Sequence, residues 1–247
     1  MLSKSHIKYI QSLHHKKFRD EEGAFIAEGA KVVMELLSSS KFICKQLIAL
    51  PQWIDENESA IKKYYKDEIT AAKDFELEKI SALTTPNHVL AVFEKAKEEV
   101  IIVKKKITLM LDTIQDPGNL GTIIRIADWF GVSSIVCSVN SADVYNPKVV
   151  QSTMGSIARV NIIYTDLKEW LLKNRQVKIF AAALKGEYIN TIKNIDEAII
   201  IIGNESKGIS DELLQIADKK ITIPKIGEAE SLNAAVATGI ILSHLIK

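Results

Sequence analysis

At 247 residues with 47% apolar side chains, the chain is long enough for two modest domains or one large one. Lys and Arg number 32 against 31 Asp and Glu, a balance that argues against a protein coated in nucleic acid over its whole surface. No uncharged apolar run of about 18 residues occurs, and the start, Met1-Leu2-Ser3-Lys4, lacks the apolar core of a signal peptide, so a cytoplasmic protein without a membrane segment is expected.

Ile7, Ile10, Leu13 and Phe18 recur at helical spacing and predict one amphipathic helix over 7–18 with a basic outer face. Residues 4–19 carry Lys4, Lys8, Lys16, Lys17 and Arg19 and no acid before Asp20, a pattern that serves either phosphate contact or a solvated helix face. A strand over 23–27, a helix over 31–37 and a strand over 47–50 follow. Pro51 opens a helix over 52–65, Asp74 is placed to cap a short helix over 75–80, and 89–93 closes the region as a strand. The alternation predicts a small α/β domain over 1–95, and the Lys, Glu and Val-rich stretch 94–105 is the expected boundary.

From 106 to 247 the rhythm is that of a parallel sheet: strand 107–112, helix 119–130, strand 134–138, helix 147–156, strand 159–163, helix 166–173, strands 178–184 and 198–202, helix 210–217, strand 220–223 and helix 232–246. By rhythm alone this is a Rossmann-like sheet. A nucleotide-dependent dehydrogenase would need Gly-x-Gly-x-x-Gly after the first strand, where the chain has Gly118-Asn119-Leu120-Gly121.

Three segments share one plan, an apolar strand entering a polar turn: Leu111 to Arg125 with Asn119, Gly121 and Arg125; Ile199 to Gly208 with Gly203, Glu205 and Gly208; and Ile221-Thr222-Ile223-Pro224 followed by Ser231-Leu232-Asn233. Turns at the carboxyl ends of strands are where open α/β sheets bind ligands. The five histidines and Cys44 and Cys137 show no metal-ligand spacing, so no metal is expected and the cysteines read as reduced thiols.

These three motifs resemble the signature of the SpoU (TrmH-like) RNA 2′-O-ribose methyltransferases of the SPOUT superfamily, over about 106–246. Tyr9-Ile10, Leu13, Lys17, Arg19 and Phe25 to Gly29 resemble, more loosely, the L30e-like substrate-binding domain that many such enzymes carry. The resemblance implies a C-terminal α/β domain with a trefoil knot, S-adenosylmethionine as cofactor, an RNA substrate, with ribosomal RNA favoured over transfer RNA, and a homodimer. It implies main-chain cofactor contacts at Gly203, Ile223 and Leu232, with Gly208 a further cofactor-binding position where the backbone approaches closely. Arg125 is then catalytic, with Asn119, Glu205, Ser231 and Asn233 in the same pocket, and Lys16, Lys17 and Arg19 are candidate RNA contacts. An arginine stays protonated, so Arg125 suits a phosphate or a forming alkoxide rather than a base. From the residues alone, Asn119, Ser231 and Asn233 also read as helix caps. The alternatives are a transfer RNA ribose methyltransferase and a non-catalytic RNA-binding or ribosome-assembly protein on the same fold, the latter told apart by whether it binds S-adenosylmethionine.

Overall fold

The computed structural model describes residues 2–192 and 194–246. The chain forms two compact units, one made of the chain up to Lys97 with Asp143–Ala158, the other of Glu98–Ala142 with the chain from Arg159 onward.

In the first unit, a four-stranded sheet has the order β1-β4-β2-β3, with β1 at Ala24–Glu28, β2 at Cys44–Ala49, β3 at Thr70–Ala71 and β4 at Val89–Glu94. Residues alternate between its two faces. Ala24 and Ile26 join Ile10, Leu13, Leu77 and Ile80 in one core. Phe25 lies in an aromatic group with Phe42, Phe93 and Tyr145. The expected helix over 7–18 is two helices, α1 at Lys4–Ser12 and α2 at Lys16–Glu22. Arg19 causes the break: its guanidinium takes the carbonyls of Leu13 (2.9 Å) and His14 (2.8 Å), which a continuous helix would need for its own amides. Helix α3 is Ala30–Ser38, α4 is Pro51–Tyr64 and α5 is Asp74–Ile80. Asp74 is not the cap of α5; Glu76 reaches back to accept from the Lys73 amide at 3.0 Å. The two-residue β3 was invisible in the sequence because so short a segment shows no alternation.

The second unit is a parallel sheet of order β10-β8-β9-β5-β6-β7, with β5 at Ile107–Asp112, β6 at Ser134–Ser138, β7 at Asn161–Thr165, β8 at Ile179–Tyr188, β9 at Ala198–Gly203 and β10 at Lys219–Thr222. Strands β5 and β9 are buried nearly throughout, which is why they read as continuous apolar runs. Met110, Val136, Ile179, Ile199 and Ile201 pack with Leu167 and Leu171 of α8 (Leu167–Lys173) and Leu213 of α9 (Asp211–Ile216). Helix α6 (Pro117–Trp129) packs against α10 (Ala234–Leu245), where Gly239 lies next to Ile126. Helix α7 (Pro147–Thr153) belongs to the first unit and packs on β1. Strand β8 outruns the expected 178–184, and its register against β10 jumps from Ala181 to Glu187 between consecutive Lys220 and Ile221. The motif turns leave the carboxyl ends of β5, β9 and β10, and Asp112 is paired in register with Gly203.

Candidate active site

The first motif turn runs into α6, whose N-cap is Asp116, accepting from the Asn119 amide at 2.8 Å, with Pro117 in the first turn. Asp116 therefore does the capping expected of Asn119, and the Asn119 side chain is released for other work. Its Nδ2 donates to Glu205 Oε1, and its Oδ1 accepts from Asn233 Nδ2 at 2.8 Å. Asn233, not Ser231, is the N-cap of α10, accepting from the amides of Ala235 (2.9 Å) and Val236 (3.2 Å).

This chain has a fixed direction. A carboxylate only accepts, so Asn119 must present its NH₂ to Glu205; helix amides only donate, so Asn233 must present its oxygen to them. Both amides are thereby oriented without ambiguity, and three turns far apart in sequence are joined through Asn233, Asn119 and Glu205.

The second turn closes on itself, with Asn204 and Gly208 exchanging backbone hydrogen bonds of 3.0 and 2.9 Å. A Cβ on Gly203 would sit 2.3 Å from the Gly208 carbonyl carbon, so any larger residue breaks the turn, and loss of a ligand in such a variant would report the turn itself. Gly208 has φ +71°, the left-handed region that favours glycine. Glu205 is half-buried at the tip.

Arg125 is exposed on α6 and, among the described residues, makes no hydrogen bond or ion pair. It stands outside the Asn233–Asn119–Glu205 chain, about 9 Å along the helix axis from Asn119. It is an unpaired positive charge on the helix that carries Asn119.

Of the residues considered for a cofactor, Ile223 is half-buried and Leu232 is 45% exposed. From Lys225 to Leu232, Ser231 included, the described backbone and side chains make no hydrogen bond. The result is a ribbon of unengaged main-chain donors and acceptors ending at Asn233. Among the described residues no group of three or more His, Cys, Asp or Glu is placed to hold a metal ion. Burial pushes the Cys44 thiol up to about 12 and raises that of Cys137 further.

Lys16 and Lys17 are exposed, each beside an acid one turn on, Asp20 at 2.5 Å and Glu21 at 3.8 Å. Arg19 departs from expectation. It is 1% exposed, bound by Asp143 at 2.7 Å and by two carbonyls, and has no surface left for a phosphate.

Residues 106–243 match the SpoU rRNA Methylase family, and residues 4–91 match the MRM3-like substrate binding domain. The chain belongs to the SpoU rRNA methylase family. It is 33% identical over 243 residues to the 23S rRNA (guanosine(2553)-2′-O)-methyltransferase RlmP of Bacillus subtilis, covering 97% of this chain and 95% of that one. This SpoU protein also superposes on an AdoMet-bound rRNA methyltransferase from Sinorhizobium meliloti with a TM-score of 0.87 and 29% identity, over 99% of this chain and 96% of that one. A TrmH-family protein from Porphyromonas gingivalis gives a TM-score of 0.86 at 35% identity, covering 100% and 98%. The α/β fold of this SpoU chain, a parallel-stranded domain after a small N-terminal one, is thus that of solved SPOUT methyltransferases.

Proposed function

We propose that this chain is an S-adenosylmethionine-dependent ribose 2′-O-methyltransferase of ribosomal RNA. The observation that carries the reading is the directed hydrogen-bond chain from Asn233 through Asn119 to Glu205, which unites the three motif turns, on the helix that also carries the free Arg125. The residues fit the cofactor: a ribbon of unengaged main chain at 225–232 suits an adenine edge, and the neighbouring turn closes tightly enough to need Gly203. Ile223, Leu232 and the Gly203–Gly208 turn would hold it. When bound, S-adenosylmethionine supplies the methyl group as an electrophile.

The chain's own residues then position the acceptor. Arg125 binds the phosphate beside the target ribose, or the ribose oxygen as it gains charge. Glu205, one oxygen held by Asn119, turns its other oxygen toward a ribose hydroxyl. Ser231, exposed at the end of the free ribbon, adds a hydroxyl to the same pocket in this reading. The first unit, with Lys16 and Lys17 on its surface, binds the RNA, and the enzyme acts in the cytoplasm. No metal is required in this chemistry. The C-terminal segment is read, with the family, as a trefoil knot.

The test is transfer of labelled methyl from S-adenosylmethionine to unmodified 23S rRNA, followed by digestion to nucleosides. Label in a 2′-O-methylnucleoside is the expected result. Label only in transfer RNA would move the substrate, and failure to bind S-adenosylmethionine would favour a non-catalytic RNA-binding protein.

The active species is a homodimer, with α6 and α10 as the pairing face. Trp129 is 85% exposed, Val236 50% and Leu232 45%, with Ile126 and Ile240 half-covered beside them. An exposed tryptophan in an apolar helix pair is the composition of an interface core. Light scattering at micromolar protein is expected to give a dimer mass for the wild type and a monomer mass for Trp129→Glu. A wild-type monomer that methylates RNA would refute the pairing.

A further inference from the structure

Thr113 follows the last residue of β5 with φ +59°, a left-handed backbone that a β-branched residue adopts only against a steric cost. Every polar group of this residue is engaged. Its amide donates to Ser138 Oγ at 2.9 Å, its hydroxyl to Asp112 Oδ1 at 2.9 Å, and its carbonyl accepts from Asn204 Nδ2 at 2.9 Å. Asn204 in turn accepts with Oδ1 from the amides of Ser206 (2.9 Å) and Lys207 (3.1 Å). One side chain therefore grips the end of β5 with its donor and both amides after Glu205 with its acceptor. Asp112 fixes the far side of the same turn by accepting from the Ser210 amide at 2.8 Å. A strained residue persists only where its surroundings over-determine it, and such residues gather at functional sites. Here the left-handed turn is what aims the Thr113 carbonyl at the Glu205 turn.

We propose that Asn204, working through the left-handed Thr113, is a positioning residue for methyl transfer: it fixes Glu205 on the end of β5 and so sets the geometry in which Glu205 receives Asn119. The proposal rests on the methyltransferase reading above. Asn204 itself need not touch RNA or cofactor. Its effect is transmitted by Glu205, and through Asn119 to Asn233, so a small rotation of the turn displaces the whole hydrogen-bond chain.

Two variants isolate it. Asn204→Asp keeps oxygens for the Ser206 and Lys207 amides but loses the donor to the Thr113 carbonyl; Asn204→Ala loses both and adds no charge. Two readouts are taken on each. The first is the side-chain ¹⁵N–¹H₂ resonance pair of Asn119, assigned by its disappearance in Asn119→Ser, which reports the bond to Glu205 without any reaction. The second is the single-turnover methylation rate with RNA and S-adenosylmethionine saturating, alongside both affinities.

In both variants the Asn119 resonances are expected to shift, and the rate to fall about tenfold to a hundredfold, the cost of a misplacement on the order of 1 Å. Both affinities should stay within about threefold, a split that mere loss of folded protein would not produce. Unmoved Asn119 resonances, or moved resonances with a normal single-turnover rate, would overturn the positioning role while leaving the methyltransferase reading intact. An inactive wild type with intact Asn119 resonances would instead bring down that reading, and the proposal with it.

Discussion

Arg125→Ala is expected to lower the single-turnover rate of methyl transfer by about 10²–10³-fold, the usual cost of removing one preorganised charge stabiliser. The structure sharpens the reason. Arg125 has no partner among the described residues, so its removal orphans no acid and opens no core. Folding stability should therefore stay close to wild type, and S-adenosylmethionine affinity within a few fold, since the proposed cofactor contacts are main chain from other segments. Arg125→Lys should restore little, because an ammonium keeps the charge without the planar fork that holds a phosphate and a hydroxyl together. Rapid-quench measurement on preformed enzyme–RNA complex separates these effects. A normal rate in Arg125→Ala would make the residue a surface arginine and remove it from the site.

Asp143→Ala is expected to produce the largest loss of stability, about 3–5 kcal/mol, because it strands the guanidinium of Arg19 in the protein interior. Arg19 is 1% exposed, and Asp143 supplies two of its four hydrogen bonds, at 3.1 and 2.7 Å. A fall in thermal midpoint on the order of 10 °C follows, read by circular dichroism. Replacing both partners with apolar residues, Arg19→Met with Asp143→Leu, should recover much of it, since no buried charge is then left unpaired. A midpoint within a degree or two of wild type in Asp143→Ala would show that water reaches Arg19 and that the pair is ornamental.

That ion pair shows where the sequence stops being readable. Arg19 sits among lysines with no acid before Asp20, and its neighbours gave every reason to count it with the basic face; its true partner is 124 residues away. Periodicity reports burial along one helix and is blind to a charge neutralised from another segment. The same blindness merged α1 and α2, since the carbonyls that end α1 are taken by a side chain of α2.

The parallel strands of the second unit were legible for the opposite reason. Strands buried on both faces must be apolar throughout, and Ile199 to Ile202 or Leu109 to Leu111 can be little else. The glycine-bearing turns after them were legible too, and Gly203 has a steric reason visible in the fold. The caps were harder. Asp116 and Asn119 both suit a helix start, as do Ser231 and Asn233, and only the backbone decides which accepts from the first amides. Thr113 and Asn204 were missed altogether. An asparagine in a glycine-bearing turn hints at side-chain to backbone bonding, whereas nothing about a threonine announces a left-handed φ.

The most direct measurement of the central claim is a nucleotide-resolution map of ribose methylation across the RNA of cells lacking this gene, complemented with wild type or with Arg125→Ala. The account predicts one 2′-O-methyl group missing from 23S rRNA, restored by the wild type and not by the variant. A 23S rRNA map identical with and without the gene, or a lost methyl that Arg125→Ala restores in full, would contradict it.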